Sequence, residues 1–290
     1  MWIIIIFMTC LEMSLNTTLV FGFASSLHQE NMKKQYTMHT ESKNISTAHN
    51  KDLSITVIYD NNSYQAGLET GWGFSCLLQG TGKTVLFDTG GDGSKLLANM
   101  AKLGINPKEI DMVVLSHIHG DHVGGLPSFL EKNPNVTVFV PKSFPGDFKR
   151  EIKNYGAHLI EVRETMRICE NIYSTGELGT LIKEQSLIVK TNRGLIVITG
   201  CAHPGIVKVV RKARDVGQGD ILFVMGGYHL GSKNQVEIRN IISDLKKLGV
   251  LYVGPCHCTG ENARQLFQKE YSKKFIHVGV GKRIYREDLK

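Results

Sequence analysis

His117, His119, Asp121 and His122 fall within six consecutive positions of "VVLSHIHGDHVGGL". The chain has 11 histidines in 290 residues, so three in one turn is a concentration that a merely solvated loop does not require. Imidazole nitrogens with a carboxylate are the donor set of a zinc site, in which three or four N, S or O ligands surround each ion and a catalytic site leaves one position for water. Fe or Mn fits the same donors. The preceding "DMVVLS" is apolar and β-branched and reads as a buried strand, and "GGLPSFLEKN" reads as the first turns of a helix. The cluster therefore sits where a strand of an α/β sheet ends, the usual place for a site in such folds.

One cluster cannot close two metal shells, so further ligands must come from elsewhere. Apolar runs ending in a metal-competent residue recur: "VLFDTG" ends in Asp88, and "VITGCAHPG" carries His203 two positions after Cys201. "FVMGGYHL" carries His229, and "YVGPCHCTG" carries His257 between Cys256 and Cys258. Each follows a predicted strand, so all of them can converge on one edge of the sheets.

The elements that must position these residues are legible in the hydrophobic pattern. "LSITVIYD" is strand-like, and "GWGFSCLLQGTGKTVLFDTGG" reads as two strands joined at "GTGK". "GSKLLANMAKLGI" is helical, and "SLIVKTNRGLIVITG" is a hairpin turning at "TNRG". "NQVEIRNIISDLKKLGV" is an amphipathic helix whose predicted buried side holds Val236, Ile238, Ile241, Ile242, Leu245 and Leu248. "FIHVGVGKRIY" reads as a final strand. This order predicts an α+β domain over residues 53–290, two packed sheets covered by helices on their outer faces.

The 42% hydrophobic share fits one globular domain with a short tail. The net charge of +7 permits contact with anions, but the basic residues are interspersed with acids and no basic stretch interleaves aromatics as a nucleic-acid platform would. A small-molecule substrate is expected and a nucleic-acid partner is not. Residues 1–26 read as a signal peptide ending near "FASS", or as an N-terminal anchor, and residues 27–52 as a flexible linker. Export or membrane anchoring through that segment is the expectation, with a cytoplasmic protein starting at Met32 as the alternative. The five cysteines of the body form no disulfide framework, which favours a reducing compartment.

"HIHGDH" followed by "VGGL" resembles the HxHxDH signature of metallo-β-lactamase-fold hydrolases, and the match runs over about residues 53–285. "LFDTG", "TGCAHPGI", "GGYHL" and "PCHCTG" resemble one subgroup, similar to the dihydropterin-6-methyl-ribofuranosylaminobenzene 5'-phosphate synthase of methanopterin biosynthesis. The resemblance implies an αββα four-layer sandwich. It implies one metal on His117, His119 and His203, a second on Asp121, His122 and His257, and Asp88 behind them, orienting the ligands. The chain departs from many relatives where Gly226 and Gly227 stand in place of a bridging aspartate, which predicts a weaker second site. His229 is assigned to substrate contact or proton transfer, and Asp121 to holding the nucleophile and relaying its proton.

The implied activity is hydrolysis by a zinc-bound hydroxide of a small ester, lactone, phosphodiester or pterin-like compound, or a synthase-like transfer on the latter. The alternatives are a nuclease of the same fold and a metal-binding sensor with a degenerate site. Cys256 and Cys258, flanking His257 in an extended loop, are expected to point away from it as small packing side chains. Cys201 is the better candidate for a place near the site. Trp72 and Phe74, in the segment 59–75, are candidates to stack on a flat substrate ring.

Overall fold

The computed structural model describes residues 53–290. Residues 1–26 and 27–52, read as leader and linker, lie outside the described residues. Two sheets form the centre of the domain. The first has seven strands: β1 (Ser54–Tyr59), β2 (Ser75–Gln79), β3 (Val85–Phe87), β4 (Met112–Val114), β5 (Thr137–Pro141), β6 (His158–Val162) and the late β13 (Arg283–Tyr285), in the order β13-β1-β2-β3-β4-β5-β6. The second has six: β7 (Met166–Cys169), β8 (Ile172–Ser174), β9 (Leu187–Thr191), β10 (Gly194–Thr199), β11 (Ile221–Gly227) and β12 (Tyr252–Cys256), in the order β12-β11-β10-β9-β8-β7.

Alternation along the strands builds the layers. Successive side chains of a strand point to opposite faces. In β10, Ile196 and Ile198 enter the core between the sheets, while Leu195 and Val197 enter a second core under helices. In β2 and β3, Cys76, Leu78, Val85 and Phe87 face the central core, and Leu77 and Leu86 face a third. The third core is closed by α1 (Gly93–Lys102), α3 (Leu126–Lys132) and α4 (Gly146–Asn154) on the first sheet. The second is closed by α5 (Ile206–Gly217), α6 (Gln235–Lys247) and α7 (Glu261–Tyr271) on the other. Three cores between four layers is the expected αββα sandwich.

β3, β4, β5 and β6 run parallel, as do β10, β11 and β12, linked by crossovers that carry helices. Parallel strands bring their C-terminal ends to one edge, where the loops carrying the predicted site residues emerge.

Two readings of the sequence need correction. Val236 is 69% exposed rather than buried. It is the second residue of α6, two positions after the Asn234 cap, where the chain has not yet turned its apolar stripe onto the sheet. "FIHVGVGKRIY" yields only the short strand β13, because Gly279 and Gly281 bring the chain against Asn62 and Gln65 and break the ladder before it. Among the described residues, no helix is long and apolar enough to cross a membrane.

Candidate metal centre

Loops at the ends of β3, β4, β10, β11 and β12 supply every residue the sequence singled out. Asp88 follows β3, and the four-residue helix α2 (Gly120–Val123) carries Asp121 and His122 after His117 and His119. Cys201 and His203 follow β10, His229 follows β11, and His257 and Cys258 form a turn after β12. Asp88, Ala202, His229 and His257 all adopt left-handed backbone angles, with φ between 47° and 56°. That conformation costs a non-glycine residue roughly 1–2 kcal/mol, so the surrounding structure must hold these loops against their preference.

The donor atoms form two touching groups. His117, His119 and His203 bring one nitrogen each within 4.8 Å of one another, and His117 Nε2 lies 3.1 Å from His119 Nδ1. Asp121, His122 and His257 do the same. Asp121 Oδ2 is 3.2 Å from His257 Nε2 and 3.6 Å from His122 Nε2, and the two ring nitrogens are 3.2 Å apart. Four ligands placed tetrahedrally at zinc–nitrogen bond length are about 3.3 Å from each other. The spacing therefore fits the edges of a coordination shell. His203 Nε2 is buried without a hydrogen-bond partner, as a ligand nitrogen turned toward a cation would be.

Residues 73–217 match the Metallo-beta-lactamase superfamily. The chain belongs to that superfamily. It is 31% identical to the 7,8-dihydropterin-6-methyl-4-(beta-D-ribofuranosyl)-aminobenzene-5'-phosphate synthase of Methanocaldococcus jannaschii, over 79% of this chain and 95% of the synthase. Among solved structures it resembles Tm1679, a metal-dependent hydrolase of the beta-lactamase superfamily, at 32% identity and a TM-score of 0.68, covering 80% of this chain and 98% of that one. The metallo-beta-lactamase-fold protein YhfI of Bacillus subtilis shares the fold at 14% identity and a TM-score of 0.60, covering 80% and 99%.

In this chain of the metallo-beta-lactamase superfamily, three of the ring tautomers are set from behind. Asp88 Oδ2 lies 2.6 Å from His122 Nδ1, so that nitrogen carries the proton and Nε2 presents its lone pair to the site. Ser116 donates to Asp88 through both its backbone N–H (2.6 Å) and its hydroxyl (2.7 Å), and the same hydroxyl oxygen accepts from His117 Nδ1 at 2.9 Å. Asn61 Oδ1, on the loop after β1, accepts from His257 Nδ1 at 3.0 Å. His117, His122 and His257 are thus anchored on their far nitrogens, with their Nε2 atoms turned to the cluster.

The charges follow from these partners. Burial and the surrounding imidazoles drive the pKa of His117 far below the ordinary histidine range. Burial, with His229 and His119 beside it, lowers that of His203 to about 4. Burial opposes the ionised form of Asp121, but the hydrogen bond with His257 and the charges of His122 and His257 outweigh it and hold the carboxyl at about 2. Burial likewise opposes a charge on His122, and the Asp88 carboxylate overcomes it and raises that pKa. Neutral His117 and His203 beside an ionised Asp121 are the protonation states that metal binding needs, whereas His122, its charged form favoured by Asp88, gives up a proton when it ligates.

Three features were not read from the sequence. Glu184 is buried, and its carboxylate accepts from the backbone N–H groups of Cys201, Ala202 and His203 at 2.8–2.9 Å and from the Thr199 hydroxyl at 3.0 Å. It fixes the loop that delivers His203. It lies in "LIKEQS", where neither spacing nor strand pattern marks it; Asn61, by contrast, follows β1 as Asp88 follows β3, and that pattern would have found it. Cys258 is the third. It points into the site, its sulfur 3.3 Å from that of Cys201, because His257 is left-handed and the turn is a 3-10 helix rather than an extended loop. Alternation therefore does not apply there. Cys256 does face away, buried beside Asp60.

Trp72 and Phe74 part company. Phe74 is fully buried and packs edge-on against Phe87 in the central core, so it is removed from any stacking role. Trp72 is 61% exposed, and its ring centre lies 4.9 Å from that of His257. On the other side of the centre, a cleft of about 390 Å³ is lined by His203, His229, Lys208, Thr180, Leu181 and Pro204. His229 and Lys208 are exposed to it.

Proposed function

We propose that this protein is a metal-dependent hydrolase acting on a small ester, lactone or phosphodiester, with two zinc ions held by His117, His119 and His203 and by Asp121, His122 and His257. The observation that carries the reading is the pair of three-residue donor groups at ligand-edge spacing, each backed by a proton acceptor on its far side. Zinc is favoured over Mg or Ca by the imidazole-rich set, and Fe and Mn remain compatible with it. A divalent cation there supplies Lewis acidity and brings the pKa of a coordinated water to about 7.

The protein's own residues do the rest. Asp121, ionised and half-buried, accepts a proton from the attacking water and orients its oxygen. Asp88 and Ser116 keep His122 and His117 in the ligating tautomer throughout. His229 stands at the cleft, its ring centre 4.4 Å from that of His203, placed to contact substrate or to return a proton to the leaving group. Lys208 offers a cation to an anionic substituent, and Trp72 an exposed aromatic face to a flat ring. A cleft of this size suits a small molecule. The pterin–ribofuranosylaminobenzene phosphate chemistry named for the Methanocaldococcus jannaschii relative is the first substrate class to test, as hydrolysis or as transfer.

Chelation followed by dialysis should abolish turnover of a phosphodiester and ester panel, and added zinc should restore it. Asp121→Asn should lower kcat about 10²–10⁴-fold, the range for a lost general base. Turnover that survives complete metal removal would sink the reading.

A further inference from the structure

Cys201 is the hub of the donor cluster. Its sulfur belongs to three sets whose donor atoms all lie within 4.8 Å of one another: with His117 and His122, with His203 and His229, and with His257 and Cys258. It is therefore within reach of ligands from both three-residue groups. The sulfur lies 3.2 Å from His122 Nε2, close to the roughly 3.5 Å separating a thiolate and an imidazole on one tetrahedral zinc. Buried cysteines that merely pack are surrounded by hydrocarbon. This one faces imidazoles.

The backbone is arranged around the two sulfurs. Glu184 accepts from the Cys201 N–H and sets the side chain's direction. A Cβ on Gly227 would stand 2.7 Å from Cys258 Sγ and 2.5 Å from the Gly200 carbonyl, so the glycine leaves the sulfur its room. Gly226 and Gly227 bring no carboxylate to the region between the two groups. Both cysteines are free. Cys258 Sγ lies 3.3 Å from Cys201 Sγ, so the two thiols share one hydrogen bond.

We propose that Cys201 supplies a thiolate ligand shared between the two metal positions, with Cys258 donating its S–H to that sulfur. Binding releases one thiol proton to the solvent, and the centre becomes a mixed imidazole–carboxylate–thiolate site that prefers zinc or cobalt to manganese or magnesium. This inference rests on the two-metal reading above, and cobalt uptake separates the two.

The test is the absorption spectrum of the full chain, stripped of metal, reduced with a phosphine and loaded with Co(II). Two cobalt ions per chain and an intense sulfur-to-cobalt charge-transfer band in the near ultraviolet are expected. Cys201→Ser should abolish the band and weaken the second cobalt about tenfold or more. Cys258→Ser should shift the band without removing it, and Cys169→Ser, on β7, should leave it unchanged. Cys201→Asp guards against misfolding of the serine variant: it should keep two ions and show no sulfur band. Cobalt uptake without the band, or a band undiminished in Cys201→Ser, would overturn the thiolate ligand while leaving the metal centre standing. Failure to take up cobalt at all would overturn both.

Discussion

At the scale of single residues, three of the candidate ligands, His117, His122 and His257, are set by what stands behind them. Asp88 is the clearest case, because one buried carboxylate fixes both Ser116 and His122. In Asp88→Asn the amide –NH₂ would face His122 Nδ1–H or take the place of a Ser116 acceptor. The ring would then move its proton to Nε2 and present N–H instead of a lone pair to the site. Metal affinity should fall about 10–100-fold, as losses of such supporting groups do, with the fold retained by circular dichroism. Unchanged zinc affinity in a competition titration would show that the tautomer is set elsewhere. Glu184→Gln tests the same logic on the other side. Its three backbone donors would face a neutral oxygen, and His203 should lose zinc affinity while the Asp121 group keeps its ion.

At the scale of elements, helices and strands were legible because each carries a period the core enforces. β10 alternates between two cores, and α6 puts Ile238, Ile242 and Leu245 on one buried stripe. The strand ends were legible for the same reason: an apolar run that stops at a polar residue marks the sheet edge, and this placed Asp88, His203, His229 and His257 correctly beside the cluster. What escaped the pattern lies where backbone angles depart from it. The left-handed His257 turned Cys258 inward, and Glu184 sits on an irregular segment whose role is made only by tertiary contacts. Gly279 and Gly281 broke a run that otherwise reads as strand. At the start of α6 the Asn234 side chain accepts from the Val236 and Glu237 N–H groups in a full capping box. Asn234→Ala should cost about 1 kcal/mol in urea unfolding. Metal content should not change, since the cap lies outside the centre; a loss of metal would mean that α6 helps to position it.

At the scale of the whole molecule, the sandwich exists to bring five loops from two sheets to one edge, and neither sheet alone holds a complete donor set. His117, His119, Asp121 and His122 come from the first sheet, and His203 and His257 from the second. A cation between them would therefore tie the sheets together as well as act on substrate, and binding to the folded state alone stabilises it by mass action. Metal removal should lower Tm, and zinc should raise it in proportion to the logarithm of its concentration.

The most direct test of the two-group centre is metal content per chain, by mass spectrometry, on wild type, His203→Ala and His257→Ala purified alike without added metal. Two ions in the wild type and one in each variant would establish that each group holds its own ion. No metal in the wild type, or two in either variant, would contradict it.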